Sequence, residues 1–276
     1  MKILFNETKH IYYLEGTDKT FTSVSKVLET IKNKFDTDKQ AQKYSEKPRE
    51  EILKGLAKSN NLTLEQAKKK WGSLELTSDD IKDIWLQKNK RITERGTIYH
   101  ALREQELIKE GSFIHKMSND EKEAFDLNKL KNLEPGIYPE LIIPYLPTWV
   151  IGTADYIKIN PDKTFFIRDY KCNDDLEIEP KKYYRKEKGY SDFEYFKTPL
   201  SHIPATKFNG YQLQLSLYSY FLEHLGYKFI GGVIEHIMFD KHDKPSGEIK
   251  EYPITYMKKE VEALLKFFKL NTSNTK

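Results

Sequence analysis

Cysteine is almost absent from this chain: Cys172 is the only one in 276 residues. A single cysteine excludes a disulfide within the chain, and it excludes an all-cysteine zinc site or a four-cysteine iron–sulfur cluster. A chain of this length can bury a full hydrophobic core. It therefore needs no disulfide or structural metal in order to fold.

Long apolar runs are also missing. No stretch approaches the roughly 18 apolar residues of a membrane helix, and the N-terminal apolar run is too short for a signal peptide. Glycine and proline, at 13 and 11 residues, are too few for a disordered or collagen-like chain. We therefore expect a soluble, cytoplasmic protein with no membrane partner.

Neither sign of charge dominates, since the chain has 46 basic and 42 acidic residues and a net charge of +4. The isoelectric point of about 8.7 lies just below the value of about 9 that is typical of strong nucleic-acid binders. Net charge alone therefore does not assign a partner. Aromatic residues make up 13% of the chain, which favours a folded protein with many amphipathic contacts.

The order of predicted elements indicates a single mixed α/β (α+β) domain over residues 1–276. A hairpin and a helical part occupy residues 1–78, the core occupies residues 79–270, and residues 271–276 form a polar tail. In the core we predict a three-stranded antiparallel meander, then a helix, a strand and a closing helix, over residues 137–146, 149–159, 164–170, 211–225, 229–239 and 256–270. No linker-like segment separates the two parts, so we predict one core.

Three helix starts have the sequence of an N-terminal cap. Thr63 with Gln66 has the spacing of a capping box, and Ser78 is followed by two aspartates. Ser118 with Glu121 has the same spacing as the first pair. We therefore expect helices to begin at these three places.

The segment most informative about chemistry is Gly-Thr-Ala-Asp155, followed fourteen residues later by Asp169-Tyr-Lys171. On a strand, Asp169 and Lys171 project to one side about 6.6 Å apart, at about 3.3 Å per residue. Pairing that is symmetrical about the turn at residues 160–163 places Asp155 opposite Asp169. Two carboxylates and an ammonium are thus expected on one sheet face.

Two adjacent carboxylates repel each other unless a cation lies between them. Carboxylate oxygens prefer hard cations such as Mg²⁺, which proteins hold with one or two carboxylates together with a phosphate of the substrate. A lysine beside such a metal can orient water or neutralise charge on a phosphate that is being attacked. The alternative for Asp169 and Lys171 is a surface ion pair without chemistry.

Four short motifs in this order resemble the PD-(D/E)XK nuclease superfamily. They are Arg-Gly-Thr-Ile-Tyr-His100, Gly-Thr-Ala-Asp155, Asp169-Tyr-Lys171 and Gln214-Leu-Ser-Leu-Tyr218, and they cover roughly residues 80–240. More narrowly, the pattern is similar to the RecB-type branch, which includes lambda-type exonucleases. The resemblance implies a restriction-endonuclease-like core, in which a mixed central sheet is flanked by helices.

The resemblance also implies a role for each matching residue. Asp155, Asp169 and the Tyr170 carbonyl match metal ligands, and Lys171 matches the catalytic lysine. His100 matches the histidine of the branch, which binds the metal or positions the substrate. Glu140 matches an additional carboxylate that helps to hold the metal or water. The helix motif that supports the catalytic site corresponds to Gln214 and Tyr218, and the implied cofactor is Mg²⁺ or Mn²⁺.

Two features depart from the family pattern. Ala154 stands where the superfamily name has proline, and Cys172 alone cannot hold the iron–sulfur cluster of some relatives. No helicase motif or Walker loop is present, so ATP-driven unwinding would need another chain. The second departure excludes the cluster-containing subgroup.

A basic and aromatic segment follows the predicted catalytic strand. Its residues Lys181, Lys182, Tyr183, Tyr184, Arg185, Lys186 and Lys188 suit phosphates and unpaired bases. Arg95, on the helix of His100, is a further candidate DNA contact. A solvated loop whose tyrosines pack on the protein body explains the same segment equally well.

The sequence therefore predicts a metal-dependent DNA nuclease. The resemblance favours an exonuclease of phage or mobile-element recombination, repair or replication, acting in the host cytoplasm. Its expected partners are DNA with a free or single-stranded end and a recombinase or single-strand-binding protein. The alternatives are a non-catalytic nucleic-acid-binding protein, a structure-specific endonuclease and a hydrolase of small phosphates.

Overall fold

The structure is a computed structural model that describes residues 2–6, 11–109, 124–185, 190–239 and 245–273. Within these ranges the helices are α1 Val24–Ile31, α2 Thr37–Ser45, α3 Arg49–Ser59, α4 Leu64–Trp71, α5 Ser78–Lys109, α6 Leu127–Leu130, α7 Lys207–His224 and α8 Lys258–Ser273. The strands are β1 Lys2–Asn6, β2 Ile11–Leu14, β3 Thr22–Ser23, β4 Ala124–Asp126, β5 Gly136–Tyr145, β6 Val150–Ile159, β7 Thr164–Lys171, β8 Lys182–Arg185, β9 Tyr190–Phe193, β10 Lys228–Phe239 and β11 Pro245–Pro253. None of the helices described is both long and apolar enough to cross a membrane.

A mixed sheet of six strands forms the centre of the described fold. Its order is β11-β10-β7-β6-β3, and β5 pairs with β6 as well. The pairs β10–β7 and β3–β6 are parallel, and the others are antiparallel. This confirms the predicted fold class, a mixed α/β protein with a central mixed sheet flanked by helices.

Strand β6 has different neighbours along one of its edges. Strand β5 occupies the other edge and pairs with β6 between Val150 and Ile159, except at Asp155. On the remaining edge, β3 pairs with Val150 and Ile151, whereas the ladder with β7 runs only from Tyr156 to Ile159. The two neighbours therefore leave an unpaired gap on β6 that ends at Asp155.

Three separate apolar clusters lie within the described residues, and the smallest holds Tyr99 and Tyr170 between α5 and the sheet. The largest joins the sheet to α1, α7 and α8, and it includes Ile3 and Leu14 of the first hairpin. The second lies among α2, α3, α4 and the first turns of α5, where Ala41, Leu56 and Trp71 are buried. The N-terminal part is thus divided between two clusters, because the hairpin and α1 pack with the sheet.

Most predicted elements are observed, with shifts of a few residues at their ends. The meander is formed by β5, β6 and β7, and Thr63 with Gln66 forms the predicted capping box at α4. Helix α5 begins at Ser78 as expected. The third predicted helix start, at Ser118, lies outside the described residues.

Two features of the sheet differ from what the sequence suggested. Residues 22–23 form a short strand beside β6, directly before α1, and the sequence analysis assigned no strand there. Strand β11 was not predicted, because its sequence, Pro-Ser-Gly-Glu-Ile-Lys-Glu-Tyr-Pro, is polar and carries proline at both ends. As the edge strand it needs one buried neighbour, β10, and no apolar run of its own.

Candidate metal and catalytic site

His100 lies on α5 and faces the gap in the sheet. Its Nδ1 is 3.5 Å from Glu140 Oε1, and its Nε2 is 3.7 Å from Asp155 Oδ2. The same Nε2 is 3.4 Å from the carbonyl oxygen of Tyr170. Helix α5 thereby brings one imidazole to three oxygen groups on three different strands.

Glu140 and Asp155 are brought together by strand register. Strand β5 pairs Pro139 with Tyr156 and Leu141 with Ala154, so Glu140 lies opposite Asp155. Glu140 has a positive φ of 51°. This left-handed conformation is uncommon for a residue with a side chain, and such strain is concentrated at functional sites.

Together these three residues form a group with the geometry of a metal site. One ligand atom from each of His100, Glu140 and Asp155 lies within 4.8 Å of the others. They line a small cavity of about 140 Å³ together with Tyr170 and Glu104. Two carboxylates and an imidazole, with a backbone carbonyl beside them, are donors that fit a hard divalent cation such as Mn²⁺ or Mg²⁺.

Asp169 and Lys171 form an ion pair beside this group. Lys171 Nζ is 2.5 Å from Asp169 Oδ2, and the Asp169 side chain is almost fully buried. Tyr170 lies between Asp169 and Lys171 in the sequence, and its backbone N–H donates a hydrogen bond of 2.8 Å to Asp155 Oδ2. The ladder pairs Tyr156 with Arg168, and this is the register that was predicted to place Asp155 across from Asp169.

Burial dominates the protonation behaviour of the two aspartates. It raises the pKa of Asp169 to about 6, with Lys171 opposing the rise and the charge of Asp155 adding to it. Burial also raises the pKa of Asp155, against the attraction of Lys171 and His100. Both carboxylates are therefore costly to ionise without a compensating cation.

The two basic groups respond in the opposite sense. Burial by itself would lower the pKa of His100, but the hydrogen bond to Glu140 and the charge of Asp155 outweigh it, so the pKa is raised. Burial likewise opposes the charge of Lys171, yet Asp169 and Asp155 hold its pKa above the usual value. The lysine is therefore a permanent positive charge at neutral pH.

The predicted helix motif, Gln214 with Tyr218, lies on α7 and covers the part of β6 where the edge is unpaired. Gln214 Nε2 donates a 3.0 Å hydrogen bond to Tyr218 Oη, and the tyrosine is buried. The Tyr218 pKa is raised, chiefly by burial, and the charges of Asp169 and Asp155 add to the rise. Tyr211, on the adjacent part of the helix, places its ring centroid 4.7 Å from Lys171 Nζ.

A buried carboxylate behind the site escaped the sequence analysis. Glu235 on β10 accepts a hydrogen bond from Tyr99 Oη at 2.5 Å, and it lies 3.0 Å from Arg103 Nε and 2.7 Å from Arg168 Nη1. Tyr99 and Arg103 flank His100 on α5, so Glu235 ties this part of the helix to the sheet. The available signal was a single glutamate within the apolar run Val-Ile-Glu235-His-Ile-Met.

The predicted DNA contacts are found in different surroundings. Arg95 is buried and pairs with Asp174 at 2.8 Å, so it faces the protein interior rather than solvent. Lys181 and Lys182 are exposed, and Lys181 is 3.3 Å from Asp175. For Tyr183, Tyr184 and Arg185 the structure describes the backbone but not the side chains. Lys186 and Lys188 lie outside the described residues.

The structure thus gathers the predicted site residues into two adjoining groups. His100, Glu140, Asp155 and the Tyr170 carbonyl form the first. The second consists of Asp169 and Lys171, with Gln214 and Tyr218 packed beside them. Asp169, predicted as a metal ligand, lies beside Lys171 and is not among the three clustered side chains.

Comparison with known proteins does not identify a family. No family model matches the chain, and no curated protein matches it. A crystal structure of the protein SSO0001 is similar to this chain at a TM-score of 0.31 and 16% sequence identity, over 90% of this chain and 83% of that one. A similarity this low carries no argument about fold or function, so membership of the nuclease superfamily stays a prediction.

Proposed function

We propose that this chain is a metal-dependent nuclease that hydrolyses phosphodiester bonds in DNA. The observation that carries the proposal is the meeting of His100, Glu140 and Asp155 at the gap in the sheet, with Lys171 beside them. The pKa values of Asp155 and Asp169 are raised, first of all by burial, and shifted pKa values cluster at functional sites.

The residues of the first group would hold the metal, which is Mg²⁺ or Mn²⁺ by the chemistry of its donors. A divalent ion bound there supplies positive charge to the phosphate and lowers the pKa of a bound water. Asp155 is held in place by the Tyr170 N–H, and His100 by Glu140. The ligand atoms are therefore positioned before the cation arrives.

Lys171 performs the remaining electrostatic work in this proposal. Phosphodiester hydrolysis places negative charge on the phosphate oxygens, and a fixed ammonium stabilises that charge without reorganisation. Asp169 holds the ammonium from one side, and the Tyr211 ring borders it on another. Lys171 is thus suited to orient the attacking water and to neutralise charge in the transition state.

The test is a cleavage time course on end-labelled linear single-stranded DNA, linear duplex and a closed circle. Each is incubated with Mg²⁺, with Mn²⁺ and with EDTA. Loss of linear DNA that depends on metal, with the circle intact, supports the exonuclease form of the proposal. Cutting of the circle supports an endonuclease. DNA binding without cleavage under any metal would reject nuclease activity in favour of a binding protein.

A further inference from the structure

A second cavity opens beside the candidate site, between α1 and the first turns of α7. We call it the α1–α7 pocket. Its volume is about 300 Å³, roughly twice that of the cavity at His100, and its walls are both basic and apolar. The residues that matter here are Leu28, Lys32, Phe196, Lys207, Gly210 and Tyr211.

The pocket borders the catalytic residues through α7. Tyr211 lines the pocket, and its ring centroid is also 4.7 Å from Lys171 Nζ. Gln214 lines it too, and it donates to Tyr218 next to the buried aspartates. The Tyr211 side chain would therefore lie between a ligand in the pocket and Lys171, the residue proposed to neutralise charge on the phosphate.

Gly210 forms part of the α7 wall of the pocket without a side chain. Glycine inside a helix is less favourable than alanine, because it loses more backbone freedom on folding. A Cβ built at Gly210 would meet no atom within 4 Å, so packing within the protein does not demand glycine there. The space left by the missing side chain belongs to the pocket, which this residue lines.

The chemistry of the walls matches a nucleotide. Lys32 and Lys207 are exposed cations suited to a phosphate, and Leu28, Phe196 and Tyr211 offer apolar and aromatic surface to a sugar and a base. The carboxylate of the lining, Glu194, is held at 2.7 Å by the side-chain amide of Asn33. A volume at the lower limit of small-molecule sites accommodates one such unit.

We propose that the α1–α7 pocket is a nucleotide subsite, which takes one unpaired nucleotide adjacent to the bond that is cut. The link to cleavage rests on the proposed nuclease function. Since a base pair does not fit a pocket for one nucleotide, the preferred substrate is single-stranded where it enters the site. The preference is set by α1 and α7, away from the metal ligands.

The first experiment measures binding of thymidine 5′-monophosphate in EDTA, by isothermal titration calorimetry. We expect wild-type protein to bind it, and Gly210→Leu to bind at least about tenfold more weakly because the added side chain fills the pocket. Gly210→Ala, with one added carbon, should show a smaller loss. Gly96→Ala is the matched control, since a Cβ there also meets no atom within 4 Å and the residue lies on α5 outside the pocket.

Folding is checked by melting temperature, because either alanine should raise helix stability while only the change at Gly210 weakens binding. Absence of nucleotide binding in the wild type, or equal binding by Gly210→Leu, would overturn the subsite. The cleavage assay separates this from the proposed function. If the protein shows no cleavage activity but binds the nucleotide, and if the change at Gly210 weakens that binding, the subsite proposal stands and the nuclease proposal is rejected.

Discussion

The ring of Tyr218 lies directly against the backbone of Gly152. A Cβ at position 152 would be 2.2 Å from Tyr218 Cε1, closer than side chains can approach, and 3.1 Å from its Oη. The first residue of Gly-Thr-Ala-Asp155 and the last of Gln214-Leu-Ser-Leu-Tyr218 are thus two halves of one contact. This contact fixes α7 over the part of β6 that carries Asp155.

Replacing Gly152 by alanine should displace Tyr218. We expect Gly152→Ala to lower the free energy of unfolding by about 1–3 kcal/mol, the usual cost of overpacking a buried contact. Urea denaturation followed by circular dichroism measures this. The double variant Gly152→Ala/Tyr218→Ala should be less destabilised than the sum of the single changes. Full additivity would show that the two residues do not interact.

Asp169 and Lys171 should be required together. Removing one partner of a buried ion pair leaves an uncompensated charge and costs about 3–5 kcal/mol, so Asp169→Ala and Lys171→Ala should both lose stability and cleavage. The paired variant Asp169→Asn/Lys171→Met keeps the volume and removes both charges. We expect it to fold with near wild-type stability and to be inactive. Wild-type cutting by this paired variant would contradict the role assigned to the two residues.

The three clustered ligands should determine metal affinity. We expect His100→Ala and Glu140→Gln each to weaken Mn²⁺ binding by about tenfold or more, since each removes one donor or one charge from the site. Calorimetric titration with MnCl₂ measures the change. His202→Ala is the matched histidine control, because His202 is exposed and pairs with Glu260 at 3.8 Å. Equal weakening in that control would reject the site.

Metal binding should fall as the pH is lowered. Burial raises the pKa of the ligand Asp155, and the net shift of the pKa of His100 is also upward. A raised pKa keeps a proton on the group at higher pH, and a protonated ligand cannot bind the cation. The dissociation constant of Mn²⁺ should therefore be larger at pH 5.5 than at pH 7.5. The reverse order would show that other groups bind the ion.

Glu235 should position α5 rather than take part in chemistry. Its carboxylate is 1% exposed and contacts Tyr99, Arg103 and Arg168. Glu235→Gln removes the charge between two guanidinium groups and should lower stability by about 3 kcal/mol. It should also weaken Mn²⁺ binding, since it frees the turn that carries His100. Unchanged metal affinity in a folded, destabilised variant would confine Glu235 to a structural role.

Local sequence determined much of the fold. The β-branched and aromatic runs after Pro135, separated by the short turn at 160–163, suffice to specify β5, β6 and β7 and the register between β6 and β7. Gly226 takes a φ of +95° at the end of α7, as a helix-terminating glycine does. Alternation and turn chemistry act over a few residues, so the sequence alone predicts them.

Strand pairings between segments that are distant in the sequence could not be predicted from such local signals. The parallel pairing of β10 with β7 and the two-residue contact of β3 with β6 join segments far apart in the chain. These pairings leave the gap on β6, and no local pattern marks them. Likewise, Arg95 follows an exposed-looking basic run, but its pairing with Asp174 buries it.

The sequence by itself named Asp155, Asp169 and Lys171, because their spacing on two strands is a local property, and it named His100 through the resemblance of its motif to the nuclease pattern. The tertiary structure alone decided their grouping. Cross-strand register places Glu140 opposite Asp155, α5 brings His100 to both, and burial beside Lys171 sets Asp169 apart as the partner of the ammonium. Spacing fixes which side chains share a strand, whereas packing fixes which of them meet and what charge each one bears.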